Sequence, residues 1–428
     1  VIKVCVGSRL TDSHEWFFNR ELVASLNAVG NGVVKTIPIF TRAELERGVS
    51  DAILERVFKG LADAGIDEVM LDSGSYEEYE RAYEDLYEIW RDGGKANPEE
   101  VLARHYFTAD ECVEDYKRLL EVATRFGSFS FQFSLGDCAN HPNFGQKLMS
   151  KRIVESVKRQ KAVLLKLKRF CKKRGIEAVY RLKLMATYEH TQIPAFRYVD
   201  QVEFATQMGS IGQKDLLREG VSTASRQHWW LKKHYPDKDI HGYGASSIVT
   251  SGLALLLGCN QFHSSSARRK AAFGKVIYAD LPGEWFLGSN PERKRKERNR
   301  DPRNKLTDAK VVTAVISCGC PICVDKTIEE RLHDLEGSRS RNREIHNVYQ
   351  QVLNVVMYAR KVVTHDLGGL MEEIQKRNSG RSRDALYLAW EWAERMIRED
   401  VHPFFTVDDL KAFDREVLAY DEVQSVRR

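Results

Sequence analysis

Three cysteines within six residues, Cys318-Gly-Cys320-Pro-Ile-Cys323, form the densest concentration of chemistry in the chain. Gly319 and Pro321 tighten the turn between them, a geometry suited to wrapping one metal ion. A disulfide framework is a poor explanation for such packing in 428 residues with only eight cysteines, and the other five read as reduced thiols. Structural zinc takes four protein ligands, so a fourth must come from outside the turn. His333 and His346 are the downstream candidates, and His346 opens a helical stretch, His-Asn-Val-Tyr-Gln-Gln-Val. Four protein ligands leave no open coordination position, which points to one structural zinc and not a catalytic one. The plainer alternative is three buried cysteines beside an unrelated histidine.

Two acids stand where strands end. Val69-Met-Leu-Asp72-Ser73-Gly74-Ser-Tyr76 reads as an apolar strand running into an acid and a glycine turn. In a parallel barrel this puts Asp72 at the C-terminal face, where reacting groups collect. An Asp capping a helix that starts near Glu77 is the alternative. Phe129-Ser-Phe-Gln-Phe-Ser-Leu-Gly-Asp137 also ends in an acid, before Pro142 and a long helix. A carboxylate there can accept from the N1–H and exocyclic amine of a guanine-like base, or simply form a turn.

The elements that must carry these groups alternate. Ile2–Val6, Val33–Phe40, Glu68–Leu71, Ser128–Leu135, Ala178–Met185, Val202–Ala205 and Lys275–Tyr278 read as strands. Amphipathic stretches over Ala43–Ala64, Glu77–Arg91, Ala109–Arg125 and Phe144–Lys173 read as helices. Strand–helix alternation indicates a parallel α/β architecture. From Ile240 to Ser266 the order is strand, glycine turn, apolar helix and second strand. Pro291–Lys305 then has eight Lys/Arg against three Asp/Glu and cannot supply a core strand. Beyond the cysteines the chain is largely helical. The expected division is a catalytic α/β region over 1–290 and, over 291–428, a basic segment, a zinc subdomain and C-terminal helices.

Composition bounds the function class. A chain that is 43% hydrophobic and of this length can bury a full core and accommodate a (β/α) barrel of about 250 residues. No run of 18 apolar residues and no leader pattern is found, so no membrane partner and a cytoplasmic protein are expected. Lys+Arg 66 against Asp+Glu 61 leaves a net charge of only +5, so local clusters must carry any polyanion binding.

The Cys-x-Cys-x-x-Cys turn followed by a helix beginning His346-Asn347 resembles the zinc subdomain of the tRNA-guanine transglycosylases. That resemblance implies His346 as the fourth ligand and leaves His333 outside the site. The family carries Asp-Ser-Gly-Gly-Phe at a barrel strand end, and residues 72–76 match three of those five. The Ile240–Ser266 stretch is similar to the archaeal branch, where a Gly-Ala-Gly turn leads through an apolar helix into Gly-Cys-Asp-x-Phe-Asp-Ser-Ala-Ser. At the family's covalent nucleophile this chain has His263, and Asn260 replaces the preceding Asp. Together the three motifs span about residues 70 to 350 in the family's order.

The resemblance implies a (β/α)8 TIM-type barrel with a zinc-binding subdomain and a helical C-terminal region. It implies Asp72 and His263 as catalytic groups, and Ser73, Gly74, Asp137, Gln207 and Gly244 at the substrate. The altered nucleophile motif and the basic segment make the chain most like the DpdA-type DNA transglycosylases, often phage-borne, which exchange guanine for a 7-cyano-7-deazaguanine-type base. Such a protein would work in the host cytoplasm. Loss of the 2′-OH eases development of positive charge at C1′, so DNA suits a weaker nucleophile. A tRNA transglycosylase, or a zinc-bearing nucleic-acid-binding protein without catalysis, is the alternative. Arg293, Lys294, Arg295, Lys296, Arg298, Arg300 and Arg303 are the expected phosphate contacts, and a homodimer is compatible with all of this.

Overall fold

The computed structural model describes residues 1–8, 10, 16–46, 48–135, 146–184, 201–205, 214–243, 248–264, 266–377 and 383–426. Strands in chain order are β1 (Ile2–Gly7), β2 (Val34–Thr41), β3 (Glu68–Asp72), β4 (Ser130–Ser134), β5 (Ala178–Leu184), β6 (Gln201–Ala205), β7 (Asp239–Tyr243), β8 (Gln261–Ser264), β9 (Lys275–Tyr278) and β10 (Leu281–Phe286). The chain divides into two compact units, one of residues 1–7, 19–36 and 206–428, the other of residues 8–18 and 37–205.

In the 8–18 and 37–205 unit, the end of β2 pairs with β3, and β3 through β6 follow in order, all parallel. Period-two alternation sorts the side chains. On one face Phe131, Phe133 and Tyr180 form a stacked aromatic row, Phe133 and Tyr180 at 5.6 Å between centroids. Phe58, from the Asp51–Asp63 helix, closes on Phe131 and Phe129. The other face carries Glu68, Met70, Gln132 and Arg181, all buried. Gln132 Nε2 donates to Glu68, and the Arg181 guanidinium reaches Met70 Sδ at 3.0 Å. Buried polar groups on this scale persist only when hydrogen-bonded.

In the other unit, β7, β8 and β1 are parallel neighbours, with Gln261 opposite both His241 and Lys3. The Ile248–Leu256 helix between β7 and β8 is mainly apolar, with Thr250 and Ser251 as its polar residues, and Leu253 to Leu257 are fully buried. It packs on the Ser340–Val363 helix, where Asn354 Nδ2 donates to Ser251 Oγ at 2.8 Å. Gly252 lies at that crossing, since a Cβ there would meet Ile374 at 2.8 Å and Tyr358 at 3.0 Å.

The strand expected over Lys275–Tyr278 forms, but it pairs antiparallel with β10 and stands outside the parallel sheet. The basic segment makes the Pro291–Lys296 helix and two 3-10 turns. Helices fill the C-terminal part, and no helix of the described residues is long and apolar enough to cross a membrane. Parallel strands alternating with helices give an α/β architecture compatible with a TIM-like fold.

Candidate functional site

Cys318 follows Ser317, the C-cap of the Ala309–Ile316 helix, and the turn closes when Cys323 N and Val324 N both donate to Cys320 O at 2.9 Å. The Arg331 guanidinium clamps the approach by donating to the carbonyls of Val315, Ile316 and Cys318. The helix expected to open at His346 begins earlier, at Ser340, so His346 lies in the second turn of the Ser340–Val363 helix. Its Nδ1 stands 3.5 Å from Cys318 Sγ and 3.6 Å from each of Cys320 Sγ and Cys323 Sγ. Metal–sulfur and metal–nitrogen bonds of about 2.3 and 2.0–2.1 Å at tetrahedral angles would place N and S about 3.6 Å apart. All four ligand atoms lie within 4.8 Å of one another, and all four residues are buried. This is the one group of His, Cys, Asp and Glu among the described residues able to hold a metal ion.

The electrostatics ask for a cation. Hydrogen bonds from Cys320 and Cys323 hold Cys318 well below the ordinary thiol range, while contacts with Cys318 and Cys320 push Cys323 up. Burial works to depress His346, but the Cys318 and Cys320 sulfurs outweigh it and raise it to about 10. Four donors competing for shared protons in a dry site are reconciled by one dication.

Around the ligands, the Ser340–Val363 helix acts on β9 as a neighbouring strand would. His346 Nε2 meets Ile277 O at 2.9 Å. Asn347 Oδ1 accepts from Ile277 N at 3.0 Å, its Nδ2 donates to Lys275 O and Ala267 O, and Gln350 Oε1 accepts from Ala279 N at 2.8 Å. Gln350 Nε2 also donates to Cys318 Sγ at 3.0 Å, supporting a thiolate. His333 sits apart, its Nε2 against Arg339 at 3.1 Å. Of the two histidines offered by the sequence, His346 is the one in the cluster. A scan against protein-family models and a search of curated proteins find no match to this chain.

In the other unit, β3 ends on Asp72 and the chain turns through Ser73 into the Ser75–Arg91 helix. The cap of that helix is Gly74, at φ 72°, and a Cβ there would meet Ala43 N at 2.8 Å. Only glycine fits both the left-handed backbone and the close approach. Asp72 therefore does not occupy the cap position. The turn is tied down through its carbonyls: Arg42 N and Tyr116 Oη donate to Asp72 O, and Arg42 Nε donates to Ser73 O at 2.9 Å.

Arg42 is a residue that sequence reasoning missed. Its guanidinium also reaches Glu78 at 2.9 Å and Asp115 at 3.0 Å, and Arg159 reaches Glu78 at 3.0 Å. The Arg42 and Arg159 faces lie over the rings of Phe107 and Tyr106 at 4.6 and 3.9 Å. Arg42, Ser73, Cys112, Tyr116, Arg159 and Gln160 line a cavity of about 20 Å³, room for a water molecule and not for a base. Burial pushes the Cys112 thiol up to about 11, which favours its neutral form over the thiolate.

His263 lies on β8, opposite Cys5 of β1 and Tyr243 of β7, and its ring is 6.4 Å from that of His241. Asp137, Gln207 and Gly244 lie outside the described residues. Arg293 and Lys294 belong to the Pro291–Lys296 helix, and Arg295, Lys296, Arg298 and Arg300 are exposed. Arg303 is committed elsewhere, to Asp301 at 2.8 Å and to Glu336.

Proposed function

We propose that this protein is a guanine transglycosylase that exchanges guanine in DNA for a 7-deazaguanine base of the 7-cyano-7-deazaguanine type, on a (β/α)8 TIM-type barrel bearing one structural zinc. The observation that carries the reading is the buried shell of three sulfurs and one imidazole nitrogen, whose histidine, followed by Asn347, stands in the second turn of the long helix. Its 3.5–3.6 Å separations suit zinc, and four protein ligands leave no position for a substrate. A strand ending on an acid, Asp72, supports the enzymatic part.

The target base leaves the stack, because its glycosidic bond cannot be reached inside a duplex. Asp72 acts at C1′ as the nucleophile or as the carboxylate that stabilises the carbocation. The C1′–N9 bond breaks and its electron pair leaves with guanine, which takes a proton from His263. The incoming base then gives up its N9 proton to His263 and bonds to C1′, displacing Asp72 or collapsing on the cation. Asp137 is the proposed acceptor for the base edge, and Ser73, Gly74, Gln207 and Gly244 are the proposed further substrate contacts.

The test is a substrate comparison: DNA and tRNA, each with labelled guanine and with 7-cyano-7-deazaguanine. Incorporation into DNA supports the proposal, and incorporation into tRNA alone moves the activity to the other polymer. Binding of nucleic acid with no incorporation into either would leave a zinc-bearing binding protein in its place.

A further inference from the structure

The Gln146–Arg174 helix has 12 Lys/Arg against one acidic residue, Glu155. Without it, the rest of the chain would hold 54 basic and 60 acidic residues, so this one helix reverses the sign of the protein's charge. Its apolar face is used up within its own unit, where Val163, Leu164, Leu167 and Cys171 are buried. Along one flank the cations are met by the Ala109–Ala123 helix and its neighbours: Lys166 pairs with Asp110, and Arg174 with Glu121 at 3.2 Å.

The outward face is different. Lys158, Lys161, Leu165, Arg169 and Lys172 follow at steps of three or four residues and are all exposed, with Lys173 beside them. That spacing stacks them on one side of a helix. Fourteen steps of 1.5 Å from Lys158 to Lys172 make a column about 21 Å long. For Lys158, Arg169, Lys172 and Lys173, no carboxylate partner is described. Like charges three and four apart weaken a helix, so a column of one sign works against the fold that carries it. A merely solvated face would mix signs.

We propose that this column is a docking stripe for the sugar–phosphate backbone of duplex DNA. The proposal takes its choice of polymer from the nucleic-acid reading above. Charge complementarity selects the occupant, because a duplex presents about one negative charge per 1.7 Å of axis and can match a cationic row along its whole length. A membrane-surface helix would turn a broad apolar face outward, whereas here Leu165 is the one apolar side chain among the column's members. The stripe reads no sequence; it supplies grip and register.

The experiment compares the full-length protein with Lys158→Ala/Arg169→Ala/Lys172→Ala and with a control, Arg56→Ala/Lys59→Ala/Lys95→Ala, which removes three exposed cations elsewhere. Fluorescence anisotropy with a labelled duplex between about 50 and 200 mM salt gives the slope of log affinity against log salt. Circular dichroism and metal content establish that both variants are folded. The stripe variant should lose about 2 to 3 units of slope and at least about tenfold in affinity, with the control near wild type. An unchanged slope, or an equal loss in the control, overturns the proposal. So does an unchanged duplex slope accompanied by stripe-dependent binding to phosphatidylserine vesicles. Base exchange with an unchanged slope would sink the stripe alone; slope loss in a protein that exchanges no base would sink the transglycosylase reading and leave the stripe standing.

Discussion

Ile277 and His346 are joined across 69 residues of sequence by a 2.9 Å contact between a carbonyl oxygen and Nε2. A carbonyl can only accept, so Nε2 carries a proton, and Nδ1, which faces the three sulfurs, is left as the nitrogen that would bind a metal. The backbone of β9 thereby fixes the tautomer required of a metal ligand.

Metal content is the first expected outcome. One zinc per chain should be found, and His346→Ala and Cys320→Ser should each lose it together with stability, since ligation and local folding are coupled. His333→Ala should keep it. Elemental analysis of the purified variants decides the matter, and zinc retained by His346→Ala would discard the assignment.

Asn347→Ala should destabilise the protein by about 2–5 kcal/mol, far more than a polar helix residue ordinarily costs, because it strands three backbone groups at once. These are Ile277 N, Lys275 O and Ala267 O. Urea unfolding checks it; a change below about 1 kcal/mol would mean that water replaces the amide.

For the proposed chemistry, Asp72→Asn keeps the shape and removes the charge. Base exchange should drop about a thousandfold or more while the unfolding midpoint stays near wild type. Near-normal turnover would take Asp72 out of the reaction.

Glu78→Gln removes the one carboxylate shared by Arg42 and Arg159. Leaving two guanidinium groups buried without it should cost about 3–5 kcal/mol. Because Arg42 also holds Asp72 O and Ser73 O, backbone amides 72–74 should lose hydrogen-exchange protection. Unaltered protection would show that the turn holds without the ion network.

Stability should fall in mild acid. Burial depresses His228 to about 3 and His402 to about 4, and each donates to a carbonyl, Leu257 O and Leu256 O, as a neutral ring. The unfolded chain binds protons below about pH 6.5 that the folded one refuses, so the stabilisation is complete above that pH. It is lost progressively as pH falls toward the folded values, at about 1.4 kcal/mol per unit per histidine. Unfolding free energies at about pH 5 and 7 should show this slope, and His402→Gln should make it shallower.

The metal ligands and the strand ending at Asp72 were legible because each is a local pattern: three cysteines in one turn, and an apolar run closed by an acid and a glycine. β10 was not, since Pro282, Gly283 and the half-buried Glu284 erase its alternation. Arg42 reads as an ordinary surface cation, and its burial depends on Glu78 and Asp115, 36 and 73 residues away. Asn347 and Gln350 look like any polar residues on a helix until β9 is brought against them. The basic stripe was hidden in the opposite way: the near-balance of charge over the chain averages away a helix that carries a large excess.

The pairing of Lys3 with Gln261 has a consequence for synthesis. β1 is made early, yet its partner β8 lies some 258 residues further on. At about 5–20 residues per second on the ribosome, the first strand waits roughly 13 to 50 s for the edge it is to join. The intervening 37–205 unit has its own sheet and can condense during that interval, while Val4, Cys5 and Val6, buried in the finished fold, have no β8 to cover them. Translation speed between β1 and β8 therefore sets how long the β8-facing edge of β1 is available to other nascent chains, and slowing it should lower the soluble yield without altering the folded product.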